Sequence, residues 1–130
     1  MKMLIGYSGA DVSKPVLELA REHAVTWNAR VYIMTSMEGG AGEKPSDIEA
    51  IDKRLTEAKQ FMDEKGVECE THQLARGMAP GEDIVKFAQD HNIDLIYVGI
   101  RKKSRAQKII LGSTAQYIIL KAPCPVVTVK

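Results

Sequence analysis

Leu95-Ile-Tyr-Val-Gly-Ile-Arg-Lys-Lys-Ser-Arg-Ala-Gln-Lys-Ile-Ile-Leu-Gly-Ser-Thr114 joins an apolar run ending at Gly99, a cationic stretch, and a Gly112-Ser113-Thr114 step into a helical pattern. Strand, loop and helix follow one another here. Glycines let backbone approach an anion, and the free N–H groups of a first helical turn point toward it. The hydroxyls of Ser113 and Thr114 add donors, and five cations lie between Arg101 and Lys108. The stretch therefore reads as a phosphate or nucleotide cradle built on an α/β unit.

Outward from it the same alternation recurs. Met3 to Tyr7 is a short apolar run broken by Ser8-Gly9, and Ser13 with Pro15 suits the start of a helix whose stripe is Val16, Leu17, Ala20 and Ala24. Val31 to Met34 reads as a second strand, and Glu38 to Pro45, rich in glycine, as a loop. Ile48, Ile51, Leu55, Ala58 and Met62 recur at helical spacing toward Gly66. Val67 to Leu74 alternates more weakly, which places it nearer a sheet edge. A turn from Gly77 to Gly81 leads into a helix with Ile84, Phe87, Ala88 and His91 on one face. The last helix turns Ala115, Ile118, Ile119 and Ala122 inward. Pro123 and Pro125 stop it, and Val126 to Val129 forms the final strand.

Five strands alternating with four helices imply a mostly parallel sheet covered on both faces. Ligands of such sheets sit at the carboxyl ends of strands. The 8–13 turn and the 99–112 loop both lie there and would flank one crevice. Periodicity does not set the strand order.

Charge is divided along the chain although the net value is only +1. All 17 acids lie at or before Asp94, against 11 Lys and Arg; the last 36 residues hold seven cations and no acid. That split predicts an anion-attracting face. A chain of 130 residues with 45% hydrophobic content builds one domain with a core. No apolar run approaches the roughly 20 residues of a membrane span, and the N-terminus reads as a strand rather than a signal peptide. Cys69 and Cys124 lie far apart in strand-like segments, which predicts reduced thiols and a cytoplasmic location.

Catalytic signals are weak. His23, His72 and His91 fall in separate elements without metal-ligand spacing, and no serine-nucleophile, Walker or HExxH pattern occurs. Asp11 borders the crevice and could help hold a metal on a triphosphate. The cationic 101–108 stretch lacks the aromatics that stack on bases, which argues against nucleic acid.

These pieces together resemble the universal stress protein family, small single-domain members of the adenine-nucleotide α-hydrolase-like superfamily. The likeness runs end to end, 1–130, and rests on the Ser13 helix start, the Gly77-x-x-Pro80 turn, Gly99 through Ser113 and the ending Ala122-Pro-Cys-Pro-Val-Val-Thr-Val. It implies an open five-stranded sheet of order 3-2-1-4-5, Rossmann-like, with four helices. It also implies binding of ATP or AMP, with Mg²⁺ accompanying ATP, a regulatory role in stress response, at most slow hydrolysis, and a homodimer through the C-terminal strand.

Carried over by position, Gly99, Lys102, Gly112, Ser113 and Thr114 would surround the phosphates, backbone groups near Ser36 would meet the adenine edge, Val98 would flank base or sugar, and Ser8 and Gly9 would border the ribose. Two positions depart from the nucleotide-binding branch. Ser8 stands where an acid is usual, and Lys102 where the motif Gly-x-x-Gly-x9-Gly-Ser/Thr has its second glycine. These departures favour the alternative implied by the family's other branch, a protein that binds no nucleotide and acts through protein contacts. An adenylating enzyme of the superfamily fits less well, since Ser8-Gly-Ala-Asp-Val-Ser13 lacks the second glycine of Ser-Gly-Gly-x-Asp-Ser.

Overall fold

The computed structural model describes residues 1–8, 14–37, 45–100, 102–103, 108–109 and 112–130. Gly9, Asp11, Ser13 and the 38–44 segment lie outside the described residues.

The apolar run near the N-terminus becomes β1 (Lys2–Ser8), followed by α1 (Lys14–Trp27), β2 (Arg30–Ser36), α2 (Pro45–Asp63), β3 (Cys69–Leu74), α3 (Pro80–Asp90) and β4 (Leu95–Gly99). Two short strands, β5 (Lys102–Lys103) and β6 (Lys108–Ile109), precede α4 (Ser113–Lys121) and β7 (Val126–Val129). The main sheet has the order β3-β2-β1-β4-β7, all parallel, which is the expected 3-2-1-4-5 topology.

Strand periodicity divides the core. Met3, Ile5, Val31, Ile33 and Tyr97 meet α1 and α2 on one face, through Val16, Leu17, Ala20, Ile51, Leu55 and Met62. Leu4, Tyr32, Met34, Ile96 and Val98 meet Ile84, Phe87, Ala88 and Ile118 of α3 and α4 on the other. Central strands buried on both faces read as continuous apolar runs, which is why β1, β2 and β4 are legible without alternation. At Gly6 a Cβ would stand 3.0 Å from two methyls of Ile84, so this glycine sets how closely α3 approaches β1.

Helix ends follow local chemistry. Asn28 (φ 51°) and Asn92 (φ 53°) take left-handed conformations just after α1 and α3, and Gly66 (φ 69°) does so after α2. α2 stops at Asp63, three residues before the expected end at Gly66, whose left-handed turn closes the chain back into β3. Pro80 opens α3 at its first position, where its missing N–H has no helical partner to lose.

Two inward assignments and one strand assignment need correcting. Ile48 is 45% exposed and Ile119 40% exposed, so each lies at the margin of its helix's apolar stripe instead of within it. A stripe is wider in sequence than the surface the sheet can cover, and the marginal position loses. Cys124 lies before β7 and not within a strand; like Cys69 it is a free thiol. β3 is an edge strand, as its weak alternation indicates.

Candidate functional site

The carboxyl edge of the sheet gathers several of the singled-out residues. Ser8 ends β1 and Ser36 ends β2, and the two are register partners across the ladder. β4 runs on the other side of β1 with Tyr97 opposite Ile5, and Gly99 ends it, exposed. Val98 is buried among the α3–α4 side chains. Gly9 lies outside the described residues.

β4 leads to α4 through residues 100–111. Within them Lys102 pairs with Ile109 and Lys103 with Lys108 in a two-rung antiparallel ladder, an element the loop reading did not anticipate. Arg101 and Arg105 lie outside the described residues. α4 then begins at Ser113 with Gly112 as its N-cap, in extended conformation (φ −66°, ψ 162°) and without any side-chain cap. No acid occupies its first turn. α3 differs: Glu82 and Asp83 sit in its first turn and complement its own N-terminal dipole. A Cβ at Gly112 would meet none of the described residues within 4 Å. A helix start without a side-chain cap among the described residues, after a run of cations, is chemically suited to an anion.

A second polar arrangement at this edge was not legible as such in the sequence. Asp83 is fully buried, and its carboxylate accepts a hydrogen bond from Ser36 Oγ at 2.7 Å. Arg76, just beyond β3, donates to the same carboxylate through Nε at 2.7 Å and also through Nη2. The only sequence signal was an acid in the first turn of a helix. Such residues are ordinarily exposed, and nothing local says that this one turns toward the sheet. Next to Ser36, the fully buried Thr35 has a hydroxyl without a hydrogen-bond partner among the described residues.

The histidines take structural places. His23 Nδ1 lies 2.6 Å from Tyr97 Oη, between α1 and β4. Tyr97 is buried, and burial pushes its phenol up to about 12. His91 stacks on Phe87 at 3.8 Å between ring centroids and its Nδ1 donates to the Phe87 carbonyl. His72 packs against Phe87 and Tyr32, with its Nε2 buried and without a partner among the described residues. Among the described residues no group of three or more His, Cys, Asp and Glu could hold a metal. Nor is any described helix long and apolar enough to cross a membrane.

A family model, the universal stress protein family, matches residues 1–130. The chain belongs to the universal stress protein family. A universal stress protein of Methanocaldococcus jannaschii is 31% identical over 140 residues, spanning 99% of this chain and 81% of that one. A universal stress protein structure from Archaeoglobus fulgidus superposes with a TM-score of 0.88 at 36% identity, covering 100% of this chain and 98% of the other. Another from Archaeoglobus fulgidus, solved in complex with dAMP, gives a TM-score of 0.81 at 32% identity with the same coverage. In this universal stress protein Ser8, Ser36 and Gly99 end their strands at one carboxyl edge of the parallel sheet.

Proposed function

We propose that this universal stress protein is a single-domain regulatory protein that binds an adenine nucleotide across the carboxyl edge of its sheet. The observation that carries the reading is the acid-free start of α4, where Gly112 offers no side-chain cap and its Cβ position meets none of the described residues. The relative of 32% identity solved with dAMP supports the ligand class. Gly99, Lys102, Gly112, Ser113 and Thr114 surround the phosphates, with Ser36 and Val98 toward the base and Ser8 and Gly9 toward the ribose. ATP and AMP are both candidates, and Mg²⁺ enters only as a companion of ATP phosphates. Occupancy regulates only if it differs between two states of the protein, since equal affinity for both shifts nothing.

Homodimerisation is part of the reading. β7 pairs with β4 on one side and has no partner on the other among the described residues, while Val126, Val127 and Val129 are half-buried. A second β7 would satisfy those backbone groups. Two free thiols fit a reducing cytoplasm.

A second reading, action through protein contacts without nucleotide, draws on Lys102 and Ser8 at the two departing motif positions. Mass analysis of small molecules released from freshly purified, denatured protein separates the two. Near-stoichiometric ATP or AMP supports the first. An empty protein that also ignores millimolar ATP supports the second. Gly112→Val should abolish binding and leave the fold intact, because its Cβ meets none of the described residues and its backbone angles suit any residue.

A further inference from the structure

Asp83 has no water to solvate it, and an ionised carboxylate so placed persists only with close donors. Its two donors come from different strand ends. Ser36 closes β2, and Arg76 follows β3 by two residues. The pairing is unequal: the Asp83 side chain is 0% exposed, while that of Arg76 is 37% exposed. An ordinary surface ion pair wanders and contributes little. Here one partner is immobile, so the guanidinium is held at the rim while part of it faces solvent. Of its five N–H groups, Nε and one on Nη2 reach Asp83. Those on Nη1 have no partner among the described residues.

The strand order makes this position meaningful. β2 lies two places from β4, across β1, which is ~10 Å at the usual strand spacing of about 4.8 Å. A nucleotide with its phosphates at the start of α4 and its sugar over β1 extends its base toward the end of β2. A guanidinium there offers donors to purine ring nitrogens and a cation to the ring face.

Resting on the nucleotide reading above, we propose that Arg76 contacts the adenine base and that Asp83 is its positioning residue. Phosphate recognition belongs to the opposite end of the crevice. Arg76 is thus a specificity element for the base, on a different element from the phosphate-binding residues.

The test is calorimetric titration of adenosine, AMP and ATP into the wild type, Arg76→Gln, Asp83→Asn and the double variant. Loss of one charge-assisted contact corresponds to about a tenfold weakening or more. Arg76→Gln should weaken all three ligands by the same factor, because all three carry the base. Asp83→Asn should weaken them similarly, and the double variant no further than Arg76→Gln alone. A purely structural Asp83 would instead give losses that multiply. Unchanged adenosine affinity in Arg76→Gln overturns the base contact, as does a loss that grows with phosphate number. A wild type that binds none of the three overturns the nucleotide reading itself, and this inference with it. Should Asp83→Asn fail to fold, Arg76→Gln decides alone, since its side chain is exposed at the rim.

Discussion

Asp83→Ala should be among the more destabilising single changes outside the apolar core. Removing the carboxylate strands two donors of different kinds. The Ser36 hydroxyl is fully buried and would have lost its acceptor, a cost of about 1–3 kcal/mol. Breaking a wholly buried pair costs about 3–5 kcal/mol. Arg76 is more than one-third exposed and can turn to water, so its share falls well below that. The sum is about 2–4 kcal/mol. Ser36→Ala alone should cost about 1 kcal/mol, but in the Asp83→Ala background it should be neutral or stabilising, because it deletes the stranded hydroxyl. The coupling of the two changes is therefore about 1–2 kcal/mol, measurable by urea denaturation followed by circular dichroism with an unchanged slope. Additive effects, or an Asp83→Ala cost below about 0.5 kcal/mol, would refute the assignment of this network as a buried strut.

Three further expectations follow from the packing and the titrating groups. Gly6→Ala places a methyl 3.0 Å from Ile84 and should cost about 1–3 kcal/mol; Ile84→Val, which deletes one of the contacting methyls, should recover part of it in the double variant. Burial pushes the Tyr97 phenol and the Cys69 thiol each up to about 12, from ordinary values of 10.0 and 9.0, and raises Tyr7 as well. The folded chain then keeps protons that the unfolded chain has released, so stability holds up to about pH 9 and declines as pH rises toward 12. A urea midpoint flat from pH 7 to 11, or a decline that Tyr97→Phe does not reduce, would contradict this. Val127→Lys, on the edge strand, should convert a β7-mediated dimer to monomer in sedimentation; an unchanged dimer would place the interface elsewhere.

Much of the fold was readable because each element has a local cause. Met3 to Ile5 and Ile96 to Val98 are apolar without interruption, as strands buried on both faces require. Val16, Leu17, Ala20 and Ala24 repeat with the helical period and are all buried. The start of α4 was legible for the same reason, since a Gly-Ser-Thr step after the cationic stretch marks a helix beginning near Ser113. Ile48 and Ile119 misled because periodicity names a face and not the width of the surface waiting for it.

Chain order and residue type therefore settled the alternating architecture, the charge split and the cationic approach to α4, all of which depend on neighbours a few positions apart. Tertiary structure decided what depends on distant ones. Ser36, Arg76 and Asp83 come from three elements and meet only once β2, β3 and α3 are assembled. His23 and Tyr97 are 74 residues apart in sequence and 2.6 Å apart at their polar atoms. The burial of one carboxylate is a property of the packed molecule: the helix that carries Asp83 would leave it in water if it stood alone, and only docking on the sheet makes it a fixed charge.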